Sequence, residues 1–234
     1  MNDLPGYRRP AQGVHPPYDH AAYESTRKRA PRQAPIRIAH TLSEITGPAL
    51  GAELVRPGDA DLTHFAGGEA LGERIIVTGR VLDEDGRPQP NLLIEIWQAN
   101  AAGRYLHEVD QHDAPLDPHF TGVGRVATDP DGVYRFITIK PGAYPWKNHY
   151  NAWRPNHIHF SLFGPGLATR LVTQMYFPGD PLLRLDPIFN SIPDSAARER
   201  LVAAFDIEAT EPGRALGYRF DFVLRGRHAT PMED

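Results

Sequence analysis

Cysteine is missing from all 234 residues. Its absence excludes disulfides, thiolate zinc sites and cysteine nucleophiles, so any bound metal has to be held by nitrogen and oxygen. No apolar run approaches the ~20 residues that cross a bilayer. The opening Met1-Asn2-Asp3-Leu4-Pro5-Gly6 lacks the apolar core of a secretory signal, which makes the cytoplasm the expected compartment. An excess of basic charge is lacking as well: 25 Lys and Arg stand against 29 Asp and Glu, for a formal net charge of −4. A protein held to nucleic acid mainly through phosphates needs the opposite balance. The brief cluster Arg27-Lys28-Arg29 reads as a solvated face. The glycines of Gly122-Val123-Gly124 open no expected helix, so they form no nucleotide loop, and Ser161 and Ser191 lack the flanking glycines of a nucleophile elbow.

What is present divides the chain in two. Residues 1–70 are rich in proline, glycine and charge and show no sustained apolar period. Thr41-Leu42-Ser43-Glu44 reads as a capping box opening a short helix that Gly47-Pro48 ends at once. So long an irregular segment is either disordered or laid across another surface, and Tyr7, Tyr18 and Tyr23 favour the second, an arm packed on another surface. Residues 71–234 read as one all-β domain. β-Branched runs predict strands at 73–82, 91–97, 133–139, 156–163, 170–177 and 217–225. Turn chemistry separates them, as in Asp83-Glu84-Asp85-Gly86 and Asp129-Pro130-Asp131-Gly132. One helix is expected to start at Pro193-Asp194-Ser195 with Ala196 to Phe205 as its body. Short, mostly antiparallel strands with turns between them predict a β-sandwich with long loops.

Chemistry gathers in the run Trp153-Arg154-Pro155-Asn156-His157-Ile158-His159. A strand sends alternate side chains to one face, so His157 and His159 stand ~6.6 Å apart and can share one metal ion. A lone strand histidine is ordinarily a packing or surface residue, and single tyrosines ordinarily pack through their apolar bodies. Tyr105, after Gly103-Arg104, and Tyr144, in the rigid turn Pro141-Gly142-Ala143-Tyr144-Pro145, are nonetheless candidate ligands, because fixed backbone is what ligand positioning needs. A phenol titrates near 10, so binding as phenolate at neutral pH takes a strong Lewis acid. Ferric iron suits imidazole and hard anionic oxygen together, and two phenolates offset most of its charge. Zinc on two histidines and a water is the less specific alternative. The polar stretch Tyr105 to Asp113 has no calcium or zinc spacing and reads as a solvated surface.

In Trp97-Gln98-Ala99-Asn100-Ala101, Gly103-Arg104-Tyr105, Ala114-Pro115-Leu116-Asp117-Pro118, Ile139-Lys140-Pro141-Gly142, Tyr144-Pro145-Trp146, His157-Ile158-His159-Phe160 and Gln174-Met175-Tyr176-Phe177, the sequence resembles the intradiol ring-cleaving dioxygenases. The likeness covers about 200 residues, from Pro31-Arg32-Gln33-Ala34 to Tyr218-Arg219-Phe220-Asp221. It is strongest to the iron-bearing β chain of an αβ enzyme that opens 3,4-dihydroxybenzoate with O2. The resemblance implies one non-haem Fe(III) per chain, held by Tyr105, Tyr144, His157 and His159, with Tyr144 the ligand that leaves when substrate binds. It implies that Arg154 lies over the substrate ring, that Trp146, Gln174 and Ile188 line the pocket, and that Tyr23 stands near the substrate carboxylate. A homologous α chain is implied as partner, completing the pocket wall. Lys147 stands where arginine is expected, which takes any guanidinium role away from that position.

Two alternatives remain at this point. Residues 75–144 also resemble non-catalytic transthyretin-like sandwich modules, which would leave Arg154, His157 and His159 without a purpose. A sister enzyme acting on catechol, hydroxyquinol or a chlorocatechol would carry an N-terminal helical segment, for which residues 1–70 have too little helical periodicity.

Overall fold

The computed structural model describes residues 11–36, 51–164 and 170–232. The capping box at residues 41–44 lies outside them. In chain order the strands are His64–Phe65 (β1), Gly68–Glu69 (β2), Arg74–Leu82 (β3), Leu93–Trp97 (β4), Val123–Ala127 (β5), Val133–Ile139 (β6), Tyr144–Pro145 (β7), Trp153–Arg154 (β8), His157–Phe163 (β9), Arg170–Tyr176 (β10), Ala204–Phe205 (β11), Leu216–Arg219 (β12) and Phe222–Val223 (β13). One antiparallel sheet has the order β10-β9-β4-β5. The other is built on β3, with β6 antiparallel on one side and β12 and then β13 parallel along the other.

Period-two alternation decides what lies between the sheets. Ile75, Val77 and Val81 of β3 join Tyr134 and Phe136 of β6 in the core, opposed by Ile94 and Ile96 of β4 and Ile158, Phe160 and Leu162 of β9. Phe160 bridges the gap, its ring 6.3 Å from that of Tyr134 and 6.0 Å from that of Phe136. Each such side chain, fully buried, contributes about 1.5–3 kcal/mol. The expected all-β sandwich is therefore observed. Among the described residues no helix is long and apolar enough to cross a membrane.

Three elements differ from expectation. The helix covers only Ser195–Glu199, capped by the Asp194 carboxylate on the Ala196 amide. Its expected continuation is captured by the end of β10: Tyr176 N–H bonds to Leu201 C=O at 2.8 Å and Ala203 N–H to Tyr176 C=O at 2.9 Å. Residues 217–225 form two strands, because the carbonyl of Phe220 bulges against Gly79, where a Cβ would come within 1.8 Å of that oxygen. β5 was expected as loop; pairing with β4 from Trp97↔Val123 to Leu93↔Ala127 makes it a strand despite Gly124.

Part of the N-terminal segment lies on the body of its own chain. Gly13 C=O accepts the Asp194 amide at 3.1 Å, Met232 N–H donates to His15 Nδ1 at 3.0 Å, and Val14 is buried in the core. Farther on, Leu62 also reaches the core.

Candidate metal centre

The register of β9 determines where the histidines face. Ile158 and Phe160 take the core side, so His157 and His159 emerge on the outer face of the four-stranded sheet. Directly paired residues share a face. His157 is paired with Tyr176, and His159 with Gln174 and Trp97, so those three side chains stand beside the histidines. The Trp97 ring stacks on His159 at 4.8 Å and 3°. His157 Nδ1 lies 2.6 Å from the Pro155 carbonyl. A carbonyl only accepts, so Nδ1 carries the proton and Nε2 keeps its lone pair. Burial, then the nearby Arg154 and His159, hold the His157 pKa well below the usual imidazole value, which keeps the ring neutral.

Two loops bring the tyrosines over this face. Gly103 has φ +79° and an added Cβ would lie 2.2 Å from Ala143 C=O; at Gly142 it would lie 2.4 Å from Ala101 C=O. The loops cross backbone to backbone, and only glycine fits on each side. Asn100 ties the first loop, its Oδ1 accepting the amides of Ala102 and Arg104, both at 2.9 Å, while its C=O accepts the Gly142 amide of the second loop at 2.9 Å. Asp110 Oδ2 accepts the Tyr105 amide at 2.8 Å. Tyr144 begins the β7–β8 hairpin, directly opposite Arg154.

The outcome is two phenol–imidazole pairs. Tyr144 Oη lies 3.2 Å from His157 Nε2, and Tyr105 Oη 3.2 Å from His159 Nε2. The imidazole centroids are 4.8 Å apart and the phenol centroids 5.3 Å. Ligands bound to one metal at about 2.0–2.2 Å stand about 3 Å from their neighbours, so both pairs have the spacing of a shared ion. Among the described residues no three His, Cys, Asp or Glu side chains converge on a metal position. A metal here therefore depends on the phenols, and the donor set fits a hard, highly charged ion.

Arg154 lies alongside, 3% exposed. Its Nη2 donates to Gln174 Oε1, to Tyr176 Oη at 3.1 Å and to Asp186 Oδ2 at 3.2 Å. Trp146 sits 5.6 Å from the guanidinium carbon. Tyr23 meets the Trp146 ring edge-on at 5.4 Å and 63°. Tyr23, Gln174, Tyr176 and Ile188 line one cleft. Two buried donors, Gln174 Nε2 of that cleft and Nε1 of Trp146, which contacts Tyr23, have no hydrogen-bond acceptor among the described residues. Lys147 is exposed. Every candidate ligand and pocket residue thus lies in one neighbourhood. Asp186 and Asp110 belong to it without having been singled out in the sequence, and Tyr176 and Trp97, quoted there only within motifs, belong to it without an assigned role. Asp186, followed by proline in a loop, offers no pattern of its own, and Asp110 reads in the sequence as part of a polar surface.

Comparison with known proteins gives the same picture. The family profile described as Dioxygenase matches residues 45–226, and that described as Protocatechuate 3,4-dioxygenase beta subunit N terminal matches residues 7–41. The protocatechuate 3,4-dioxygenase beta chain of Burkholderia cepacia is 63% identical over 94% of each chain. The protocatechuate 3,4-dioxygenase alpha chain of Pseudomonas putida is 32% identical over 84% of this chain and 97% of its own. The crystal structure of 3-chlorocatechol 1,2-dioxygenase from Rhodococcus opacus superposes with a TM-score of 0.54 at 26% identity, over 71% of this chain and 64% of its own. The matched span continues well past residue 144, through the histidine strand, which removes the non-catalytic sandwich module from consideration. This chain belongs to the intradiol ring-cleavage dioxygenase family.

Proposed function

We propose that the protein is the catalytic β chain of a protocatechuate 3,4-dioxygenase, opening 3,4-dihydroxybenzoate between its hydroxyl-bearing carbons with O2 to give 3-carboxy-cis,cis-muconate. The carrying observation is the double phenol–imidazole pair beside a buried arginine; the substrate rests on the likeness to the Burkholderia cepacia β chain. The family uses non-haem iron. In our proposal it is Fe(III), one per chain, with Tyr105, Tyr144, His157 and His159 as the residues that would hold it. A ferric ion on the catechol oxygens would draw electron density from the ring and open it to O2.

The chain's own residues do the rest. Tyr144, on a two-residue strand, would be a phenolate while it holds the ion, and its Oη takes up one of the two hydroxyl protons of the bound catechol while a hydroxide takes the other. Arg154, fixed by Asp186 and Gln174, presents oriented N–H donors where negative charge grows on the ring oxygens; preorganised donors of this kind are usually the largest single contribution to catalysis. Trp146 and Ile188 keep water from the ring, and Trp146 Nε1 and Gln174 Nε2 offer donors to substrate oxygens. Tyr23 stands at the carboxylate end. A homologous α chain completes the pocket wall and residues 71–234 form the catalytic domain, while the segment 1–70, part of which lies on this chain's own body, reaches that partner as well; support comes from the β-type N-terminal match and the α-chain relatives.

The test is stoichiometric: the protein, coexpressed with its α chain, is given 3,4-dihydroxybenzoate under measured O2. One O2 consumed per substrate, with both atoms in 3-carboxy-cis,cis-muconate, is expected. Cleavage outside the diol, or no O2 uptake, contradicts the proposal.

A further inference from the structure

Asn148 lies two residues beyond Trp146, between β7 and β8, and is 5% exposed. Its amide spans 124 to 126 residues of sequence to the N-terminal segment. Oδ1 accepts the Glu24 amide at 2.9 Å, and Nδ2 donates to the Ala22 carbonyl at 2.8 Å. One side chain therefore holds the backbone on both sides of Tyr23, as a neighbouring strand would. Only a primary amide provides an acceptor and a donor at that spacing; a carboxylate would set an acceptor against the Ala22 carbonyl. The segment is closed locally as well. Tyr23 N–H bonds to His20 C=O at 2.8 Å, Thr26 Oγ1 donates to Tyr23 C=O at 2.7 Å, and the His20 amide donates to Thr26 Oγ1 at 2.9 Å. A tight loop is thus presented as a unit, and Asn148 docks it beside Trp146, where the Tyr23 ring contacts the indole.

We propose that Asn148 is a positioning residue: it docks the N-terminal loop so that Tyr23 closes the cleft formed with Gln174, Tyr176 and Ile188, and thereby sets affinity for the carboxylate end of the substrate. The inference rests on the pocket assignment above. Asn148 touches none of the four candidate ligands' side chains through its own hydrogen bonds, so it acts on binding and leaves the ring-opening step alone.

The test is a double-mutant cycle in the αβ holoenzyme with Asn148→Ala, Tyr23→Ala and the pair. Asn148→Ala is expected to raise KM for 3,4-dihydroxybenzoate about tenfold, the loss of two buried hydrogen bonds, with kcat within about twofold of wild type. In the Tyr23→Ala background it adds nothing, because both changes remove one contact. Iron content and visible colour stay as in wild type. Multiplying effects in the pair, or a fall in kcat with lost iron, overturn the proposal in favour of a general structural role. Should Asn148→Ala fail to assemble, Asn148→Asp keeps the size and the Glu24 bond while losing the Ala22 bond; an unchanged KM there overturns it too. Trypsin cleavage after Arg27, Lys28 and Arg29 follows docking without turnover, and is expected to quicken in either variant; an unchanged rate overturns the docking role. A wild-type enzyme inert towards 3,4-dihydroxybenzoate overturns the pocket assignment instead, and the trypsin rate still decides whether Asn148 holds the loop.

Discussion

Arg154 and Asp186 form a two-point ion pair in the interior, Nε to Oδ1 at 3.1 Å and Nη2 to Oδ2 at 3.2 Å, with the carboxylate fully buried. The amides of Ile188 and Phe189 lie 3.4 Å from the same carboxylate. Arg154 is therefore a neutralised cation held in one orientation. What it offers the site is an oriented set of donors, and the orientation is set by Asp186 from a loop 32 residues away. A buried pair of this kind gains little over apolar replacements, while loss of one partner is costly. Its retention beside the phenol–imidazole pairs agrees with use in binding or catalysis.

Replacing Arg154 by serine should lower kcat by about 10²–10³, the range for removing a preorganised donor. Iron content should stay near one per chain, because no candidate ligand changes. Unchanged turnover, measured as O2 uptake, would remove Arg154 from the chemistry.

The same replacement leaves the Asp186 charge buried alone, at a cost of about 3–5 kcal/mol. Arg154→Met combined with Asp186→Leu should recover most of that stability and none of the activity. Thermal melting of the two singles and the double tests this. A double variant as unstable as the sum of the singles contradicts the pair.

For Tyr144→His the visible absorption of the iron-loaded enzyme should shift, since one of two phenolate donors is gone. Substrate binding should weaken, since Tyr144 Oη no longer takes up a proton. Wild-type colour and kinetics together would take Tyr144 out of the donor set.

A methyl group at Gly103 meets the Ala143 carbonyl at 2.2 Å in a left-handed backbone. Gly103→Ala should force the two tyrosine loops apart, costing on the order of 1–3 kcal/mol of strain and lowering bound iron. Metal analysis after dialysis checks it; full occupancy would show that the loops need not touch.

Asp110→Ala removes the acceptor of the Tyr105 amide. A loss of about 1–3 kcal/mol is expected for an unpaired, partly buried donor, with faster iron release to a chelator. Asp113→Ala, at an exposed position nearby, serves as the control and should change neither.

Much of this centre could be read locally. His157 and His159 are visible because strand alternation acts within three residues, and the turn residues around Tyr105 and Tyr144 mark rigid backbone. The sandwich could be read from short β-branched runs. What stayed hidden depends on tertiary pairing. Asp186 matters only once its loop meets Arg154, and Asn148 only once the N-terminal segment arrives. β5 carries too little strand propensity to declare itself before β4 pairs with it, and the helix after Asp194 is shortened by hydrogen bonds to Tyr176 that no periodicity encodes. The polar stretch after Tyr105 concealed Asp110 because a single carboxylate capping an amide leaves no spacing to recognise.

Electron paramagnetic resonance on freshly purified αβ protein, with iron determined on the same sample, bears most directly on the four-residue centre. A high-spin ferric signal accounting for one iron per β chain, lost when Tyr105 and His159 are both replaced by alanine, is the predicted result. A colourless protein containing zinc or no metal, or a ferric signal that survives that double replacement, would contradict it.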